Sequence, residues 1–525
     1  MLADLRCGSC HAGVPAPGSA RGAGPGLTAA GVRYEPGFLV SYLKNPSRVR
    51  PGNGRARMPD FFFSDGEALA VSRFLEAQRR LGDAKSPSSP MRWPWHTIDR
   101  AAAERVITQQ LKCTSCHSLN GQGGNAAPEL AAAGARLSKE WLRRFIAAPH
   151  RYEPNVAMPA VLFDERDNRA LVQDADGTLD LIVEYLVAIA SVRRDSLARV
   201  RNEIESRNPA ATAQAGEAIV RAQNCAGCHT INGMVPRASG PSLAGEGMRV
   251  QPQWLRAYLD RPTPIRLHGT TPGSGSRMPG YGLDSSERDS LLAFFATDSS
   301  VAVRRPPVAL SPFATSKAMA LLRDQMSCLG CHRIGEAGGE VGPDLSNTSA
   351  RLRPEFVSRM IEDPAHASPG SFMPTIRMRE TDASLIIAYV SHLSSGSDAR
   401  RVPYPSLLAS ASIPAATGAA GVYATRCAPC HGVTGNGDGF NASRLPVPPL
   451  AHSSKAAMAS RTDDRLYDGI AAGGRVLGDS PRMPAFGETL SQQEIAGLVR
   501  YLRVLCACEG PAWGRDATSR AGVAK

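Results

Sequence analysis

The chain has 525 residues, too many for one ordinary core and enough for several small ones. Hydrophobic residues make up 42%, which excludes wholesale disorder, while aromatics reach only 6%, thin unless a large prosthetic group supplies some apolar volume. The net charge of +12 is scattered, with no basic helix or aromatic-interleaved patch; this argues against nucleic acid and leaves a solvated surface or a docking face for acidic partners or anionic lipid.

From the N-terminus, only Leu2 to Arg6 precede the cluster Cys7, Cys10, His11. A helix follows with Phe38, Leu39, Tyr42 and Leu43 on one face, stopped at Pro46. Then come Met58-Pro59 and a closing helix over Ser64 to Arg79 that carries Phe74-Leu75. A Pro- and Ser-rich linker spans 82–95. The same succession then recurs, now opened by an amphipathic helix before each cysteine cluster: Asp99 to Lys112, Gln214 to Asn224, Ser316 to Ser327 and Gly418 to Arg426. Residues 193–212 read as a charged, partly helical linker, and 300–312 and 396–417 as Pro-, Ser- and Ala-rich ones. The expected organisation is all-α: five tandem small helical domains at 1–81 (N-terminally incomplete), 99–196, 212–299, 313–398 and 417–508, with a flexible tail at 509–525. The longest apolar stretch, Leu179 to Val192, contains Asp180 and Glu184 and is too short to span a membrane.

Ten of the twelve cysteines fall into one pattern, Cys-x-x-Cys-His, at Cys7/Cys10/His11, Cys113/Cys116/His117, Cys225/Cys228/His229, Cys328/Cys331/His332 and Cys427/Cys430/His431. Two thiols three residues apart on a helical turn reach the two vinyl groups of one haem as thioethers, and the next residue, His, lies beneath the iron as axial ligand. Zinc sites need four ligands close together, and a thioredoxin-like pair needs a preceding strand and no His, so five copies at domain spacing favour five haems c. A Met-Pro pair follows each motif by about 40 to 50 residues: Met58, Met158, Met278, Met373 and Met483 are the candidate sixth ligands, the soft thioethers that raise a haem's potential. Chain order pairs each His with the next Met-Pro, so His229 with Met278. Met378 competes with Met373, and Met234 and Met248 with Met278. Between motif and Met stands a Pro-x-Leu step at Pro25, Pro128, Pro241, Pro343 and Pro448, whose proline carbonyl is expected to accept the Nδ1–H of the ligand His. His96, His150, His268, His366, His392 and His452 read as surface or structural residues. Cys506 and Cys508 lack a following His, and because a bridge across one residue is strained they are expected as free or buried thiols.

These residues resemble the class I cytochrome c family five times over. The fifth repeat, with Cys427-Ala-Pro-Cys430-His431-Gly432 and Met483-Pro-Ala-Phe486-Gly487, looks most like its stand-alone periplasmic members. The resemblance implies an electron carrier outside the cytoplasmic membrane, working with redox protein partners or membrane respiratory complexes. The alternative is a haem enzyme, or the cytochrome subunit of a respiratory or peroxidase-type complex, with one labile axial ligand. The first repeat departs from the pattern, because Leu2 to Arg6 are too few for its opening helix and carry no export signal. A missing upstream segment is the expectation, with Phe74 and Leu75 left partly uncovered.

Overall fold

Short-range chemistry starts the closing helices. Ser64, Asp284 and Ser491 each accept the backbone N–H three residues on, while Glu67, Glu287 and Glu494 reach back to the cap residue's own N–H. Replacing Ser491 with alanine removes one such box, and a loss of ~1 kcal/mol in denaturant-unfolding free energy is expected.

The computed structural model describes residues 5–10, 24–47, 57–80, 98–154, 156–229, 240–265, 277–297, 308–394 and 417–514, with a few isolated residues between them. It is mostly helical, and its described residues divide into two compact units, Met1–Gly240 with Pro279–Gly282, and Pro241–Met278 with Leu283–Lys525. None of the described helices is long and apolar enough to cross a membrane.

In the first unit the helices are α1 (Pro36–Lys44), α2 (Asp65–Glu76), α3 (Arg100–Arg105), α4 (Lys139–Ala147), α5 (Ala175–Ile189), α6 (Ser191–Arg207) and α7 (Ala213–Ala222). In the second repeat helix α3 runs into a π-helical turn at Val106–Gln110, and a core of Ile107, Leu142, Leu162, Leu179, Ile182 and Leu186 fills the space between α4 and α5. After its motif, β1 (Ser118–Leu119) pairs with β2 (Gln122–Gly123). The first repeat joins the second through an isolated antiparallel bridge, Tyr34 with Leu137, where Glu35 N–H donates to the Arg136 carbonyl and Ser138 N–H to the Arg33 carbonyl, each at 3.0 Å.

The charged stretch 193–212, expected to be partly helical, is helix as far as Arg207, and one expectation changes, that α2 is left partly uncovered. Gly37 of α1 lies flush against the Leu197 backbone of α6, and Arg201 pairs with Glu76 at 2.8 Å. The closing helix α2 is also covered: Phe74 and Leu75 are 7% and 4% exposed. Its cover is α7, the opening helix of the third repeat. A Cβ on Gly216 would sit 1.9 Å from the Ala70 carbonyl oxygen, so only glycine lets these two helices cross so closely.

In the second unit the longer helices are α8 (Pro252–Asp260), α9 (Ser285–Ala296), α10 (Pro312–Ala320), α11 (Pro354–Glu362), α12 (Glu380–His392), α13 (Gly418–Arg426), α14 (Asp463–Ala472) and α15 (Gln492–Cys506). The third and fourth repeats meet through a second bridge, Val250 with Leu352, which repeats the Tyr34–Leu137 arrangement: Gln251 N–H donates to Arg351 and Arg353 N–H to Arg249. Leu321, Leu322, Leu329, Val357, Ile386 and Val390 form the fourth core, beside the hairpin of β3 (Arg333–Ile334) and β4 (Ala337–Gly338). Met458, Leu466, Ile470, Ile495, Leu498 and Leu502 form the fifth. Cys506 and Cys508 are joined by a disulfide, contrary to expectation. Ala507, in the left-handed region at φ 44°, turns the chain end so that the two Cα atoms lie 5.1 Å apart, inside the span a disulfide needs.

Candidate haem-binding sites

Each described motif is a single tight turn. In the first four repeats the residue before the first cysteine is left-handed (Arg6, Lys112, Asn224, Ser327, φ 51–58°), which turns the chain out of the opening segment and into the motif. The second cysteine's carbonyl and the His side chain then receive the next loop. In the second repeat Ala127 N–H donates to Cys116 O at 2.9 Å, and His117 Nδ1 meets Pro128 O at 2.7 Å. In the fourth, Gly342 N–H donates to Cys331 O and His332 Nδ1 meets Pro343 O, both at 2.8 Å. The Nδ1–H bond leaves Nε2 bare and fixes the ring plane. Burial pushes the His229, His332 and His431 imidazoles below their usual pKa, so the neutral, iron-binding form is favoured.

Two of the expected proline acceptors are replaced. In the fifth repeat His431 Nδ1 meets Leu450 O at 2.9 Å, so Leu450 rather than Pro448 orients the ring. The loop before it is longer here, threaded through Gly435 and Gly437 at φ 78°, and brings the later carbonyl into place. In the third repeat His229 Nδ1 meets the carbonyl of Pro25, in the first repeat, at 2.9 Å; Pro241 is not its acceptor. A Cβ on Gly24 would lie 2.3 Å from the His229 ring, so the glycine is needed for this approach. His11 lies outside the described residues, as do His96 and His268.

A cavity of about 1100 Å³ in the first unit is lined by Cys113, Cys116, His117 and Met158, and by Cys225, Cys228, His229 and Met58, with aromatic and aliphatic walls that include Tyr34, Phe38, Tyr42 and Trp141. Thiol pairs, imidazoles and thioethers around apolar walls are the donor set and the environment a c-type haem requires, so these residues fit that group. Met158 and Met483 pack against the cores of their repeats. In the fourth repeat it is Met378 that packs on the core. It stands immediately before the cap of α12, the place that Phe63 and Leu283 hold before α2 and α9. Met373, six residues before that cap, matches Met58 and Met278, also six before theirs. Of the third repeat's rivals, Met248 lies in the short helix Glu246–Arg249 that follows the Pro-x-Leu step.

The motifs also touch one another, a feature with no signal in the sequence. In the second unit Asn441, fully buried, donates to Gly330 O at 2.8 Å and to Cys430 Sγ at 3.3 Å, and its Oδ1 accepts from Glu340 N–H. Ser327 Oγ donates to Pro481 O at 2.7 Å, and Thr375 N–H to Thr489 Oγ1, so the Met-Pro loops of repeats four and five meet as well. In the first unit Asn224 donates to Ser9 O at 2.7 Å and Ser9 Oγ to Gly227 O at 2.9 Å. In both, a buried asparagine binds the carbonyl of the residue just before the second cysteine of the neighbouring motif. His452 is a structural residue: it stacks on His431 with ring centroids 4.0 Å apart, and its Nδ1 meets Tyr423 OH at 3.0 Å.

Known families fall on the same stretches. Residues 101–175, 213–298 and 320–394 match the family model described as cytochrome c, and residues 414–502 match cytochrome c oxidase, cbb3-type, subunit III. These stretches hold four of the five motifs and together cover more than half of the chain, which belongs among the c-type cytochromes: it is a repeated-domain haem c protein of the electron-transfer class. Comparison with curated proteins gave no match. Among solved structures, a chain of the Kuenenia stuttgartiensis reducing HAO-like protein complex is 18% identical; the match covers 38% of this chain and 99% of that one at a TM-score of 0.15, too loose a superposition to define a fold.

Proposed function

We propose that the chain is a five-haem electron carrier working outside the cytoplasmic membrane, each iron held between the His of its motif and a Met from a Met-Pro loop. The observation that carries this reading is the recurrence, in the second and fourth repeats, of the same two bonds between motif and following loop, each occupying Nδ1 and leaving the imidazole Nε2 as the nitrogen available to iron. Each bound haem supplies one reversible electron. The protein's part is to hold both axial donors, keep the buried imidazoles of His229, His332 and His431 neutral, exclude water with aromatic walls, and pack motif against motif so that the paired motifs stay at short range. With both axial positions filled no open coordination site remains for a substrate, which favours transfer over catalysis. Redox proteins or a membrane respiratory complex are the partners this implies. Cys7, Cys10, Cys113, Cys116, Cys225, Cys228, Cys328, Cys331, Cys427 and Cys430 form the thioethers. The matured chain, weighed intact under denaturing conditions, is expected to exceed its polypeptide mass by five haems; four or fewer would remove at least one motif from the scheme.

A further inference from the structure

The first and third repeats do not close on themselves. The two-bond signature that ties a motif to its own loop in repeats two and four is made across repeats here: Gly24 N–H donates to Cys228 O at 3.1 Å, and the Pro25 carbonyl meets His229 Nδ1 at 2.9 Å. The converse bond is present too, Gly240 N–H of the third repeat donating to Cys10 O of the first at 2.9 Å. Opening and closing helices are exchanged in the same sense. Helix α7, which leads into Cys225, crosses α2 of the first repeat at Gly216, and Arg73 of α2 donates to the Ala211 carbonyl at 2.7 Å just ahead of α7. Met58 and His229 line one cavity with Val220 and Leu75. The loops after the two methionines pair directly, Asp60 and Gly280 exchanging both backbone hydrogen bonds at 2.7 Å. Exchange of an equivalent element between similar domains keeps every local contact type while changing which chain segment supplies it, so it costs little in packing.

We propose that the haem attached to Cys225 and Cys228 is completed by the first repeat, with Met58 as the sixth ligand opposite His229. This rests on the reading that the Met-Pro methionines are axial ligands, and goes beyond it by pairing a methionine with a histidine that lies 171 residues away in sequence. The central helix α1, the loop of Met58 and the closing helix α2 then belong to the third motif's haem.

The test is an epistasis experiment on the matured full-length chain, read by near-infrared absorption and by electron paramagnetic resonance. In the intact protein Met58→His is expected to remove about a fifth of the Met–iron charge-transfer band and to add one bis-histidine signal, since imidazole replaces thioether on one of five irons. In a second background, Cys225→Ala/Cys228→Ala/His229→Ala, whose denatured mass should show four haems, the same Met58→His change is expected to do neither. If it still removes about a quarter of the remaining band, Met58 serves a different haem and the proposal falls. If Met58→His leaves the band of the intact protein unchanged, Met58 is not an axial ligand, and the ligation reading itself fails at this site. Should the triple variant not mature, nuclear Overhauser contacts of the Met58 ε-methyl in the intact reduced protein decide the question: contacts to the haem bearing the Cys225 and Cys228 thioethers support the pairing, and contacts to another haem overturn it.

Discussion

Replacing Asn441 with leucine is expected to separate the fourth and fifth domains. The amide is fully buried and makes three bonds, to Gly330 O, to Cys430 Sγ and from Glu340 N–H. Leucine branches at the same carbon but is larger, and it satisfies none of these partners. Two backbone groups are then left inside a dry contact, at ~1–3 kcal/mol each, unless the domains part and admit water. Parting is the cheaper outcome, because the contact lies between two motifs rather than within one core. Denaturant unfolding is therefore expected to lose its shared transition for the last two domains. Asn441→Asp, which keeps the acceptor but sets a buried carboxyl against Gly330 O and Cys430 Sγ, is expected to be no milder. An unchanged unfolding profile for Asn441→Leu would mean that the junction carries no stability.

Arg33 offers the second large effect. Its side chain is nearly buried, pairs with Glu153, and lies over the rings of Trp141 at 4.8 Å and Tyr34 at 5.2 Å. The residue belongs to the first repeat and most of its partners to the second, so Arg33→Ala removes packing, a cation–π contact and the partner of a carboxylate together. Breaking a buried pair from one side costs about 3–5 kcal/mol, and because Glu153 keeps 26% of its side chain in contact with solvent the lower end applies. Glu153→Ala leaves the charged guanidinium on the Trp141 ring and is expected to cost less. In the double variant Arg33→Ala/Glu153→Ala the two effects are expected to be less than additive, since each single change already removes the pair. Strict additivity in urea unfolding would show that the pair is not coupled.

The helical class, the repeat and the place of each closing helix were legible in the sequence because they are local. An S/D-x-x-E box opens α2, α9 and α15, and paired apolar residues follow on one face. The prolines that orient His117 and His332 were legible for the same reason, lying in the same repeat eleven residues after the ring they serve. The exchange between the first and third repeats left no trace, because each segment keeps the pattern suited to its role whichever copy it completes. That α7 would cover α2 was not legible. The signal that could have found it is Gly216 inside an otherwise strong helix former, a residue that weakens a helix unless a backbone must pass close by. The packing of helix α6 was not legible because its charges pair across to other helices, as Arg201 does with Glu76, and pairing of that kind has no periodicity to read. The change of acceptor from Pro448 to Leu450 follows from loop length, which the spacing of the Pro-x-Leu step alone does not encode.

The most direct test of the central claim is the spin state of the irons in the matured full-length protein. Electron paramagnetic resonance of the oxidised form, with optical spectra before and after carbon monoxide on the reduced form, reads every haem at once. An electron carrier with all axial positions filled by His and Met is predicted to give only low-spin iron, a Met–iron charge-transfer band and no carbon monoxide adduct. A high-spin signal that binds carbon monoxide and turns over peroxide would contradict the account and make at least one of the five sites a catalytic haem.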